Sequence, residues 1–286
     1  MPSIREIIEN AWPVSAEVRR KALLVNDWSH LNEYGYDEFG FHPPTAMTAA
    51  SVVAVLYRKY FRVEARGLEN VPDSGSVLIY GNHSGQLPVD GAMVAASLLL
   101  DKDPPRVTRA LMEYWFPTLP FVGNFLNRTG QVTGLPGNAE HLLRHGQCAL
   151  VFPEGIRGSG KLWKNRYRLM RFGTGFVRIA LQTGTPLVPV AVVGGEEQAP
   201  SFHDLKLLAH TLGFPYFPIT PFFPWFGPVG GIPLPTKYRI EFGTPIELDG
   251  DGDESDEVIA RHVDLLRGKL SSLLGGLLHE RKHIFW

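Results

Sequence analysis

The chain has 286 residues, 44% of them apolar, enough for a packed core and too many for a disordered tail. Its 28 Lys and Arg nearly cancel 29 Asp and Glu, which argues against a general nucleic-acid binder. A single cysteine, Cys148, excludes an internal disulfide framework and a multi-cysteine metal site.

Arg5, Glu6 and Glu9 stand where a secretory leader needs an apolar centre, and no run reaches the roughly 20 apolar residues of a spanning helix. A cytoplasmic protein that touches a membrane without crossing it is expected. Apolar spacing predicts helices over residues 4–11 and 14–25. A third helix is predicted over residues 45–63, small and apolar at first, then Tyr57, Arg58, Lys59, Tyr60, Phe61 and Arg62. Such an aromatic and basic end suits a membrane interface, packing against the main body being the alternative. Residues 1–66 are therefore expected to form an N-terminal helical region and interface anchor, and residues 67–286 an α/β domain. In that domain strands are predicted at 76–80, 107–111, 148–152, 187–193 and 238–242. Helices are predicted at 138–144 (Asn138 capping, Gly146 stopping), 176–182 and 257–278. This alternation predicts a single mixed, mostly parallel twisted sheet covered by helices on both faces.

Two strand ends carry polar groups. Asn82-His83-Ser84 through Asp90 follows the first strand, where open α/β sheets bind ligands. His83 with a carboxylate seven residues on could be a general base oriented by its acid, or an ordinary loop histidine. Glu154, Gly155 and Arg157 follow the strand at 148–152 and could hold a polar acceptor and an anion, or form a solvated turn. The G-x-x-x-x-G-K spacing of Gly155 to Lys161 imitates a phosphate-binding loop, but Leu162 stands where a magnesium-binding hydroxyl belongs. Asp249, Asp251 and Asp253 imitate a calcium loop that then lacks its glycine and final glutamate. No Gly-x-Ser-x-Gly nucleophile elbow occurs.

Charge is uneven. Residues 101–172 hold 11 Lys and Arg against 5 Asp and Glu, with Lys161, Lys164, Arg166, Arg168 and Arg171 together, which favours an anionic ligand or membrane surface. Residues 207–236 hold no ionised side chain, and 213–228 hold five prolines and seven aromatics. That density predicts an irregular apolar loop: an acyl-chain groove, a membrane-seated surface or a plain covering loop.

In order and spacing these blocks resemble the glycerolipid acyltransferase family of the bacterial 1-acylglycerol-3-phosphate acyltransferase type. Asn82 to Asp90 is similar to its first block, Gly123 to Arg128 to its second, Phe152 to Arg157 to its third and Leu187 to Val190 to its fourth. The resemblance spans about residues 64–247. Six residues separate His83 from Asp90 where four are usual, which resembles a divergent branch including diacylglycerol-type enzymes. Ile156 stands where a hydroxyl residue is common.

The resemblance implies a peripheral membrane enzyme of phospholipid or glycerolipid synthesis. His83 would be the general base and Asp90 its support. Glu154 and Gly155 would position the acceptor, and Arg157 and Arg128 would pair with its phosphate or another anion; Lys161 is a further candidate for substrate binding. The implied co-substrate is acyl-CoA or acyl carrier protein, with no metal or resident cofactor. An uncharged lipid acceptor, an ester hydrolase and a non-catalytic lipid-binding protein are the alternatives.

Overall fold

The computed structural model describes residues 3–26, 28 and 31–286. In chain order its elements are α1 (Ile4–Asn10), α2 (Ala16–Ala22), α3 (Pro43–Val55) continuing into a π-helical turn (Leu56–Tyr60), β1 (Glu64–Arg66), β2 (Val77–Gly81), α4 (Val89–Leu100), β3 (Thr108–Met112), α5 (Val122–Arg128), β4 (Val132–Thr133) and α6 (Pro136–Arg144). There follow β5 (Cys148–Val151), α7 (Ile156–Ser159), α8 (Gly175–Thr183), β6 (Leu187–Val193), α9 (Gly195–Gln198), β7 (His203–Asp204), α10 (Lys206–Leu212), β8 (Pro218–Ile219), β9 (Arg239–Phe242) and α11 (Asp256–Glu280).

Seven strands form one sheet in the order β1-β9-β6-β2-β5-β3-β4, and β7 and β8 pair apart from it. All pairings in the large sheet are parallel except β6 with β9. The mixed, mostly parallel sheet read from the alternation of strands and helices is what forms. Alternate side chains divide between two faces. Val77 and Ile79 join Leu150, Val188 and Val190 under α1 to α4, whereas Leu78 and Tyr80 join Ala149, Leu187 and Val193 under α6, α8 and α11. Burial on both faces is why β2 and β6 read as unbroken apolar runs.

The N-terminal helices share the first of these cores. Ile8, Val18, Ala22, Met47, Ala54, Tyr57 and Phe61 are buried in it, and β1 pairs with β9 inside the sheet. Of the residues expected to form a helical N-terminal region, 1, 2, 27, 29 and 30 lie outside the described ones. The aromatic side chains at the end of the third helix turn inward, while Arg58 and Lys59 stay exposed. The π-helical turn carries Tyr57 and Phe61 into the core, and Arg58 bridges Glu17 (2.8 Å) and Asp101 (2.7 Å). Arg62 donates to the carbonyls of Pro235 and Phe285. The outward apolar groups of this segment are instead Val52, Val55 and Leu56.

Two local expectations are corrected. Helix α6 begins at Pro136 rather than Asn138, because proline suits a first helical turn that needs no N–H partner; Asn138 donates to the Thr133 carbonyl. The charge-free stretch opens on helix α10, which Gly213 ends at φ 73°; only beyond it does proline enforce irregular chain. Among the described residues no helix is long and apolar enough to cross a membrane.

Candidate active site

Strands β6, β2, β5 and β3 lie side by side and parallel, so their carboxyl ends meet along one edge of the sheet. The residues just beyond those ends are Glu196, His83, Glu154 and Glu113. Four polar groups scattered over more than a hundred positions thus converge where an α/β sheet presents its ligands.

Asn82 makes the exit from β2. Its side-chain amide donates to the Val192 carbonyl (2.9 Å) and accepts from the Val192 N–H (2.8 Å), finishing the β2–β6 ladder while the main chain turns away. His83 is then half-buried, with its ring stacked on Phe152 at 4.4 Å between centroids. Its Nδ1–H donates to Asp90 Oδ2 at 2.7 Å, which leaves Nε2 free to take a proton. Asp90 is fully buried in the first turn of α4 and also accepts from the N–H groups of Ser84 and Gly91 (both 2.8 Å). These donors fix the position of its carboxylate against the His83 ring. Burial disfavours a charged His83 ring, but the Asp90 charge and hydrogen bond, with Glu154 behind them, outweigh this and hold its pKa above the ordinary histidine value.

Glu154 turns toward the protein. Its Oε1 accepts from the His83 N–H (2.9 Å) and its Oε2 from the Met170 N–H (2.6 Å), so it fixes the backbone that carries the histidine. Lys161, expected to bind substrate, is buried with its ammonium 3.3 Å from Glu154 and 3.2 Å from Glu196. Burial pushes the Glu196 carboxyl up to about 7, with Lys161 opposing. Gly155 takes φ 55°, ψ −145°, and a Cβ there would stand 2.8 Å from Glu113 Oε1. Gly158 lies so close beneath the site that a Cβ would come within 2.8 Å of the His83 Cβ.

From His83 an apolar cavity of about 410 Å³ runs between α3, α4, β3 and α5. Ala46, Ala49, Ala50 and Val53 of α3 face it, as do Ala92, Ala95, Ala96 and Leu99 of α4. Spacings of three and four put these small residues on one stripe of each helix, and alanines cannot fill the gap between them. The lining reaches from Pro88 to Leu100, about 18 Å at 1.5 Å per helical residue. The space is apolar along its length, with His83 among its lining residues. Residues 207–236, one expected source of an acyl groove, contribute nothing to this lining.

Of the remaining expected residues, Arg157 is exposed on α7, and Arg128 lies over the Tyr36 ring at 5.7 Å, outside the cavity. Arg168 and Arg171 face a separate cavity of about 470 Å³ beside Arg267 of α11. Sequence reasoning passed over Glu113, Glu196 and the paired alanine stripes. Acidic residues just past predicted strands, and small residues at helical spacing in two helices, were the available signals.

The acyltransferase family model matches residues 62–193, which carry the His83–Asp90 pair, Glu154 and all four central strands. An uncharacterized protein of Mycobacterium tuberculosis is 37% identical over 301 residues, spanning 99% of this chain and 84% of that protein. The chain belongs to the acyltransferase family. This acyltransferase is also 26% identical over 149 residues to the 1-acyl-sn-glycerol-3-phosphate acyltransferase alpha of Mus musculus, across 48% of each chain. The crystal structure of the 1-acyl-sn-glycerophosphate acyltransferase PlsC from Thermotoga maritima shares its fold at a TM-score of 0.54 and 15% identity, covering 97% of this chain and 89% of that one. Residues 202–232 of the acyltransferase lie beyond the matched family segment.

Proposed function

We propose that this acyltransferase moves a fatty acyl group from a thioester, acyl-CoA or acyl carrier protein, to a hydroxyl of a glycerolipid such as 1-acylglycerol-3-phosphate. The observation that carries the reading is an Asp90-oriented His83 at the head of an apolar cavity long enough for an acyl chain. His83 Nε2 takes the acceptor's hydroxyl proton as its oxygen attacks the thioester carbonyl. The new C–O bond forms, the tetrahedral intermediate collapses, and the C–S bond breaks. The departing thiolate recovers the proton from Nε2, so ester and thiol leave and His83 is again neutral. Asp90 supports the transient imidazolium, as in other carboxylate–histidine pairs. No step uses a resident cofactor or a covalent acyl-enzyme.

In this reading Glu154 holds the His83 backbone, Lys161 pairs with Glu154 behind it, and exposed Arg157 on α7 meets an acidic acceptor. The sequence similarity to a 1-acyl-sn-glycerol-3-phosphate acyltransferase supports that acceptor class. Incubation of purified protein with labelled palmitoyl-CoA and a panel of phosphorylated and neutral acceptors tests the reading. Acylated lipid is expected with a phosphorylated acceptor and should disappear in His83→Ala. Release of free fatty acid that no acceptor alters would instead identify a hydrolase, and full turnover by His83→Ala would refute the proposed base.

A further inference from the structure

Between β6 and β9 the chain leaves the sheet and covers the site's rim with residues 202–232. This excursion is built, not loose. Trp163 N–H donates to the Ser201 carbonyl, Leu234 N–H to Gln198, and the Thr236 hydroxyl to Gly194, which ties both of its ends to the core. Inside it, Phe202 and Leu205 donate to Ile219 and Phe217, and the Asp204 carboxylate accepts from Phe217. Yet its large apolar side chains point outward: Leu207 is 84% exposed, Trp225 71%, Val229 69% and Phe226 66%. A patch of this kind on an ordered scaffold marks an interaction surface.

Its position adds to this. The Tyr216 hydroxyl donates to the carbonyl of Gln86, inside the lengthened His83–Asp90 loop, and Phe214 meets Trp115 edge-on at 6.4 Å. Trp115 stacks on Phe116, which lines the cavity. The patch is therefore continuous with the cavity mouth. Along its other side stand exposed Lys164, Arg166 and Lys206; Arg166 lies over Trp163, whose ring approaches Phe202 at 6.5 Å. Thirty residues without an ionised group, edged by cations and rich in interfacial aromatics, match an anionic bilayer.

We propose that the excursion of residues 202–232 is the surface that seats this enzyme on an anionic phospholipid bilayer, with α10 and the Trp225 turn entering the interface and the cavity mouth opening onto the lipid. This deepens the proposed reaction, on which the account of lipid entry rests.

The test is co-sedimentation with phosphatidylcholine vesicles, with and without phosphatidylglycerol, for wild type and for Leu207→Glu, Trp225→Glu and Val229→Glu. Each substitution should weaken binding about tenfold, as expected for withdrawing one large apolar side chain. Lys164→Gln with Arg166→Gln should remove the dependence on phosphatidylglycerol. Turnover of a water-soluble short-chain thioester should be unchanged in all of these. Retained binding in the triple glutamate variant, or loss confined to Val52→Glu with Val55→Glu on α3, would overturn the proposal. So would a wild-type dimer that ignores vesicles and is dissolved by the substitutions, since the patch would then be a protein interface. If no acceptor is acylated but binding still falls in the excursion variants, the seat stands and the reaction does not.

Discussion

At His83 two effects oppose each other: burial disfavours the imidazolium, while Asp90, helped by Glu154, favours it more strongly. A general base works unprotonated, so kcat/KM should rise with pH through a pKa above that of an ordinary histidine. Asp90→Asn removes the raising influence and leaves burial. The acid limb should then move to lower pH while the plateau falls about 10²–10⁴-fold, as read from pH–rate profiles. An unmoved limb would show that Asp90 does not govern the base. Glu196 makes the opposite kind of prediction. Its carboxyl titrates near 7 in the folded chain against 4.5 for an ordinary glutamate, so between these values the folded chain keeps a proton that the unfolded chain has lost. Stability must fall as pH rises through that window. Glu196→Gln abolishes this, and urea unfolding at several pH values should show the wild type losing on the order of 3 kcal/mol more than the variant from pH 4 to 8. Both residues sit past strand ends, where their type could be read but their burial and partners could not.

Helices α3 and α4 shape the cavity beside His83 by what they lack. Ala49, Ala50, Ala95 and Ala96 line the gap and are too small to fill it. Ala95→Phe should place a ring in the channel and shorten the accepted chain. Competition between long and short acyl thioesters should show long-chain kcat/KM falling at least about tenfold relative to short, with the short-chain rate kept. An unchanged preference would put the acyl chain elsewhere. The strands of the sheet were the most legible elements, because burial on both faces writes an apolar run into the sequence at β2, β5 and β6. Helix α6 was misread at its start since a capping asparagine and a proline two residues earlier are competing signals.

A buried ion pair ties the N-terminal arm to the sheet, beside the apolar contacts of α1 to α3. Arg109 on β3 donates to Asp37 at 2.7 Å and lies over the Phe41 ring, and Asp37 accepts from the Phe39 and Phe41 N–H groups. Asp37→Ala removes a buried carboxylate that Arg109 and two backbone N–H groups share and should cost about 3–5 kcal/mol in urea unfolding; a loss below about 1 kcal/mol would mean that this pair does not hold the arm. The sequence by itself determined the α/β alternation, the strand ends that carry His83 and Glu154, and the charge-free stretch, because each is a local pattern of residue types. Tertiary structure alone decided the rest. It turned Tyr57 and Phe61 into the core, buried Lys161 between two glutamates, and set two alanine stripes face to face to leave a cavity. These outcomes depend on which distant segments meet. A side chain's exposure and its ion partner are properties of that meeting, and neighbours in the chain do not encode them.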